Sequence, residues 1–493
     1  MYRLTAALAF AVCTTCALAA PVVQDFDGAL GTSMRIAVES GDEAGARAAI
    51  EAAAAEVQRL ERVLSGYDAS SELSALNDGR ALANPSADLI AVLALCDEWN
   101  AASDRKFSCK LGELKKAWQT AAESGEVPAR PTLRAIARQV RKSGPLAPQQ
   151  GQATQLAEGV LLDADGVAKG YIIDRAFDLL AESLPAGTPI AIEIGGDGRY
   201  RGGAGLPAWK VGVGNPFGAT DTLKVRELGV RGGAVAASGH RHRAYQVGRR
   251  SYSHVLAPRD GWPVRNTPAT VVVAPTAAAA DAVATALAVM NPNEGIDWIE
   301  SLTDVEAMVL MEGGQVLATS QWRAFESGRG SDDAESVQTL QVEYAIPQVE
   351  APRYRRPYVA IWVSDKKKNV LRNLLVLGES RRWARENTRW WQQVGGKDEH
   401  VLDLFARPTR RPGVYELAWD WRDAYGNAVD ENEVVLHVEA AREYGGHDYR
   451  RIRLNRNKPR RKALSAKGEI GKLTVTWQSG TTVNRTPLAA VTR

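Results

Sequence analysis

Small and apolar side chains, mostly alanine, recur every three to four positions from residue 41 to 64, and this period predicts a helix over Gly41–Leu64. The same spacing predicts helices over Pro85–Ser103, Tyr171–Leu180 and Asp281–Met290. Ala117–Val140 is polar and helical in parts, and Pro128-Ala129-Arg130-Pro131 breaks it. Short runs rich in branched residues predict strands at Pro189–Ile194, Trp209–Val213, Thr270–Ala274 and Ala307–Met311. The first of these runs into Gly195-Gly196-Asp197, a turn signal. Helices and strands alternate without order, so the first part of the chain reads as α+β (mixed α/β).

The texture changes past residue 322. Residues 322–345 are polar and include Gly328-Arg329-Gly330-Ser331-Asp332-Asp333. Beyond them, Tyr358–Val363, Leu371–Leu377, Val414–Trp419 and Val434–Glu439 read as short strands separated by turn residues such as Asp423–Asn427. Short strands at this spacing predict an all-β, immunoglobulin-like sandwich. The expected organisation is a leader over 1–20, an α+β domain over 21–325, a linker over 326–345 and a β-sandwich over 346–493.

At 493 residues the chain is too long for one core, which agrees with two domains. The net charge of +3 conceals an asymmetry: residues 331–493 carry +8, leaving −5 on residues 1–330. Arg3 followed by the apolar stretch Leu4–Leu18 and by Ala17-Leu18-Ala19 has the form of a secretory signal. No later segment is long and apolar enough to span a bilayer, so the expectation is export to a periplasm without a membrane span; lipid anchoring at Cys13 or Cys16 is the less favoured alternative. Export also argues against nucleic acid as partner, despite arginines interleaved with Trp383, Trp390 and Trp391. Outside the leader only Cys96 and Cys109 remain. Two cysteines make neither a disulfide framework nor a zinc site. One disulfide is open, but the apolar helical setting of Cys96 favours a buried thiol.

The candidate chemistry centres on Leu162-Asp163-Ala164-Asp165-Gly166-Val167-Ala168-Lys169-Gly170-Tyr171. An acidic, glycine-containing turn opening a helix offers backbone N–H groups to an anion. Lys169 adds a full positive charge, and the oxygens of Asp163 and Asp165 suit a hard cation. Phosphate with Mg²⁺ is the natural guest. Asp281 and Thr285 lie one helical turn apart, so they share a face and can hold such a cation.

Together with Leu30-Gly31-Thr32, Leu64–Asn77, Ser253–Pro263 and Asp281–Leu287, this stretch resembles the ApbE-type FAD:protein FMN transferases from residue 25 to about 325. The resemblance implies FAD as substrate, Mg²⁺ as cofactor, and transfer of FMN to a threonine hydroxyl on an exported acceptor protein, with AMP leaving. It places the metal on Asp281, Thr285 and the Gly166 carbonyl, and proton abstraction on His254, with His240 and His242 as nearby competitors. It places the cofactor against Leu30, Tyr67, Lys106, Phe107, Ser108, Asp163, Lys169 and Val255. Beyond residue 346, Pro412–Tyr415 and Glu439–Gly446 resemble an exported bacterial domain of unknown function found beside flavin transferases.

The chain also departs from the family pattern. Ser108 and Cys109 stand where the family has Asp-Pro, with Lys106 and Lys110 nearby. Ala257 replaces the aspartate of His-x-x-Asp-Pro, Leu30 replaces a methionine, and Asp165 replaces a small residue. Two alternatives to transfer therefore stay open: hydrolysis of FAD to FMN and AMP at the same site, or a non-catalytic exported flavin- or partner-binding protein.

Overall fold

The computed structural model describes residues 21–148, 153–203, 207–213, 226–239, 244–264, 269–311, 315–326, 339–350, 354–378, 380–397, 402, 406–425, 428–458 and 460–478. The leader, His240, His242, the segment 328–333 and the Gly426-Asn427 part of the expected turn lie outside these residues.

The chain opens with a hairpin, β1 (Val22–Ala29) and β2 (Thr32–Val38), whose tight turn holds Leu30 at φ 50° and Gly31 at φ 72°. Helices α1 (Glu43–Leu64), α2 (Glu72–Asn77), α3 (Ala87–Ala102), α4 (Gly112–Ser124), α5 (Arg130–Lys142) and α6 (Asp165–Glu182) follow. Strands β3 (Ile190–Ile194), β4 (Asp197–Arg201), β5 (Trp209–Val213), β6 (Arg226–Val230), β7 (Gly232–Ser238), β8 (Ala244–Val247), β9 (Arg250–Ser253) and β10 (Ala269–Ala274) come next. Then come α7 (Ala277–Val289), α8 (Pro292–Glu300), β11 (Glu306–Leu310) and β12 (Val316–Ala318).

Eight of these strands form one antiparallel sheet in the order β1-β2-β3-β4-β7-β10-β11-β12. Every residue of β10 is buried, because the sheet is covered on both faces there. One face carries α1, α6 and α7, and Ile36, Val38, Ile192, Val272 and Val309 join those helices in the main core. On the other face Tyr200, Val235, Val271 and Met308 pack with Val211, Leu228 and Val230 of the β5-β6 hairpin.

Helices α6 and α7 meet closely, and two residues of the acidic stretch explain why. A Cβ at Gly170 would lie 2.3 Å from the Ala277 carbonyl oxygen, so only glycine admits this approach. Asp174 accepts from the N–H groups of Ala277 and Ala278 at 2.8 and 2.9 Å, capping the first turn of α7.

Several expectations are corrected. α6 starts at Asp165, not Tyr171, so the acidic turn forms the first turn of the helix itself. The polar stretch 117–140 is two helices, α4 and α5, parted at the predicted prolines. Cys96 is buried as expected but bonded to Cys109, since the chain doubles back after α3 and brings the two Cα atoms to 5.7 Å. The expected linker is too long: its last residues begin β13 (Thr339–Ile346), a full strand of the C-terminal region.

That region continues with β14 (Tyr358–Ser364), β15 (Val370–Leu377), β16 (Ala406–Arg407), β17 (Gly413–Trp419), β18 (Glu433–Ala441), β19 (His447–Asn455), β20 (Arg460–Leu464) and β21 (Leu473–Gln478). They form two sheets, β17-β13-β21-β20 and β16-β15-β14-β18-β19. Between them Leu340, Val342, Ile361, Val363, Leu436, Val438, Trp419 and Val475 share one core, as in a sandwich. The N-terminal domain meets this region through the Arg407–Asp297 and Arg323–Asp420 ion pairs and through Val316 N–H donating to the Ala424 carbonyl.

Candidate active site

A cavity of about 910 Å³ opens where the ends of β7 and β10 meet α6 and α7. This lies at the upper end of the range typical for small-molecule sites, enough for a dinucleotide. Its wall includes Tyr67, Lys106, Phe107, Ser108, Asp163, Gly166, Lys169, His254, Val255, Asp281 and Thr285. The sequence-predicted residues are thus gathered from five separate stretches of chain. Leu30 is the exception: it does not line this cavity but stands in the β1-β2 turn, packed partly on the core.

The α6-α7 contact sets the geometry of the innermost part. Asp281 and Thr285 project from the same face of α7 toward the first turn of α6. A Cβ on Gly166 would sit 3.0 Å from the Thr285 hydroxyl and 3.2 Å from the Phe107 ring, so the bare glycine backbone lies against that threonine. Asp281 is buried and accepts from the Gly170 N–H at a long 3.4 Å. Burial, opposed by Lys169 and reinforced by Asp197 and Asp165, pushes its carboxyl up to about 7. A buried carboxylate with a hydroxyl one helical turn on, against the glycine backbone of α6, offers oxygen donors of the kind a hard cation takes. It fits a hard divalent cation such as Mg²⁺.

Lys169 reaches Asp197 at 2.6 Å. Asp197 is buried at the start of β4 and also accepts from the Ala237 N–H at 3.0 Å. The Gly-Gly-Asp turn therefore does more than shape the pocket: its aspartate anchors the lysine.

The second face of the acidic turn is held by a residue that sequence reasoning missed. The Lys115 ammonium lies 3.1 Å from both Asp163 and Asp165. Burial alone would depress Lys115, but the two aspartates outweigh it and hold the ammonium above its ordinary value. Asp163 moves up, from burial first and Asp165 second, with Lys115 opposing. Its backbone is fixed by donation to the Cys109 carbonyl at 2.7 Å, one residue past Ser108. On α4 a lone lysine reads as a solvated side chain, and nothing in local spacing marks it otherwise.

The wall bearing His254 is built on an aromatic cluster. Trp118 of α4 is fully buried, packs against Tyr252 and Trp262 at ring distances of 5.0 and 5.2 Å, and donates to the Gly261 carbonyl at 2.9 Å. This holds the β8-β9 hairpin and the following turn against α4, with His254 directly after β9. Val255 donates to the Ser253 hydroxyl at 3.0 Å. Tyr67, by contrast, is 79% exposed at the cavity mouth, where a flat ring can lie over an incoming aromatic group.

Comparison with known proteins agrees with this fold. Residues 30–309 match the ApbE family, and residues 339–472 match a family described as "Predicted periplasmic protein (DUF2271)". An FAD:protein FMN transferase of Treponema pallidum is 28% identical over 311 residues, covering 59% of this chain and 85% of the relative. One of Klebsiella pneumoniae is 24% identical over 298 residues, covering 60% and 90%. The crystal structure of the ApbE protein of Thermotoga maritima superposes with a TM-score of 0.55 at 25% identity, covering 62% of this chain and 99% of that one. Fold and cavity define an α+β protein built around a dinucleotide-sized acidic site. The chain belongs to the ApbE family, here joined to a C-terminal region rich in β-sheet.

Proposed function

We propose that the protein transfers FMN from FAD to a threonine hydroxyl of an exported acceptor protein and releases AMP, with Mg²⁺ held by Asp281, Thr285 and the Gly166 carbonyl. Family membership makes flavin transfer the general activity. The observation that supports the finer reading is the single cavity that joins the Asp281-Thr285 face, the α6 N-terminal turn, Lys169 and His254.

In this reading the Tyr67 ring covers the isoalloxazine, and the α6 N-terminus and Lys169 face the pyrophosphate. The bound cation would neutralise charge on the phosphates. The acceptor threonine oxygen attacks the phosphorus of the FMN half. The P–O bond to the AMP half breaks, and AMP leaves with the bridging oxygen. His254 accepts the threonine proton. Exclusion of water decides between transfer and hydrolysis, because the same geometry serves either nucleophile. A periplasmic location is part of the proposal and is supported by the description of the C-terminal family.

The test is incubation of the mature chain with FAD and a small domain carrying a threonine acceptor motif, with and without Mg²⁺, following AMP and acceptor mass. Expected is a gain of one FMN that requires Mg²⁺ and falls at least about a hundredfold in Asp281→Ala, as loss of a charge-stabilising group does. AMP without labelled acceptor would replace the reading by FAD hydrolysis. Tight FAD binding with neither product would mean that the changes at Ser108 and Ala257 have left only a flavin holder.

A further inference from the structure

One segment of the C-terminal region carries a large local surplus of positive charge. Residues 447–472, which contain β19 and β20, hold ten lysines and arginines against two acids, Asp448 and Glu469. That surplus equals the whole excess of residues 331–493. Neither acid offsets the exposed cations: Glu469 is buried in an ion pair with Arg442 at 3.0 Å, and Asp448 accepts from the Glu469 N–H. Arg451, Arg453, Arg460 and Arg461 are exposed, and none joins an ion pair among the described residues.

The topology places these cations at a common free margin. β19 is an outer strand of the five-stranded sheet and β20 an outer strand of the four-stranded sheet. The ion pairs to the N-terminal domain fall at the opposite margins, Arg407 of β16 with Asp297 and Asp420, just past β17, with Arg323, and its apolar contact reaches Tyr358 and Trp362 on the central strand β14. In the larger sheet four strand spacings, roughly 19 Å, separate those margins. Arg451, Arg453, Arg460 and Arg461 take part in none of these contacts.

We propose that this margin docks the protein on an anionic phospholipid surface. Blunting a sheet edge against aggregation takes a lysine or two, far fewer than are present. A protein partner would call for exposed aromatic or apolar anchors among the charges. Among the described residues, the large hydrophobics exposed in the C-terminal region are Val414, Tyr425 and Tyr444, none of them on β19 or β20. Long cations without an apolar anchor suit headgroups, which ask for charge and not for shape. The cavity wall includes no residue of the C-terminal region, so the docking strands β19 and β20 are separate from the active site.

The experiment is co-sedimentation of the full-length mature chain with vesicles of phosphatidylcholine alone and of phosphatidylcholine with phosphatidylglycerol. Expected is binding to the anionic vesicles only, declining steadily with added salt. Reversal of Arg451, Arg453, Arg460 and Arg461 to Glu should lower partitioning at least about a hundredfold, while thermal melting and FMN transfer to a soluble acceptor stay unchanged. The salt titration on the wild type needs no variant. Wild-type protein that leaves anionic vesicles in solution, or a reversed variant that binds as well as the wild type, overturns the proposal. Capture by soluble polyglutamate without vesicle binding would also overturn it, in favour of an acidic protein partner.

Discussion

At the scale of single residues, the acidic turn is governed by its counter-charges. Lys115 and Asp165 form a pair that the family resemblance did not announce: Asp165 stands where a small residue is usual, and Lys115 meets it and Asp163 at 3.1 Å. Lys115→Ala should leave the two carboxylates facing each other uncompensated. The expected result is an FAD KM about tenfold higher with a smaller change in kcat, because the turn shapes binding before chemistry. Adding Asp165→Gly should recover most of the loss, giving a coupling energy of about 1–2 kcal/mol in a double-mutant cycle. Independent, additive effects in that cycle would show that the pair does not act as a unit. These residues also mark the limit of what the sequence discloses. That Asp281, Thr285, Lys169 and His254 line one cavity was legible because motif order placed them together. Lys115 was not, because its role depends on α4 crossing the acidic turn, a long-range contact with no local period. The anchoring of Lys169 by Asp197 was hidden for the same reason.

At the scale of elements, the site depends on how tightly α6 lies on α7. Gly170→Ala should force the helices apart at Ala277 and lower stability by about 1–3 kcal/mol, the usual range for overpacking. The shift would carry Gly166 away from Thr285, so calorimetry should show a lower Tm and a flavin-transfer assay weaker activity. An unchanged Tm would mean that the contact adjusts freely. The Cys96–Cys109 disulfide fixes the other wall, since Cys109 adjoins Ser108 and its carbonyl holds Asp163. Closing a separation of 13 residues should contribute about 3 kcal/mol. Chemical unfolding with and without reductant measures this directly, and equal midpoints would refute it. Helices α1, α3 and most of α7 were legible from apolar spacing, and so were the buried strands β3, β10 and β14. The strands β19 and β20 were not, because RRIR and RRK hide the alternation under charged residues at the exposed edge of a sheet.

At the scale of the whole molecule, the question is whether the two regions unfold as one. Their contacts are mostly polar: Arg407–Asp297, Arg323–Asp420, Arg422–Glu326 at 3.6 Å and the Val316–Ala424 backbone bond. Met311 and Leu317 add an apolar share by joining the cluster around Tyr358, Trp362 and Trp390. Partly exposed ion pairs contribute about 0–1 kcal/mol each, so they orient the regions more than they bind them. The apolar share is too small to fuse two cores that each bury their own sheets. The expectation is therefore two calorimetric transitions at low salt, drawn together only modestly by the interface. Arg407→Ala with Arg323→Ala should leave both midpoints within a few degrees of the wild type while loosening the relative orientation, which small-angle scattering would record as a larger radius of gyration. A single transition that splits only in this variant would show instead that the charged contacts couple the regions strongly, and that the sandwich stabilises the flavin-transferase fold itself.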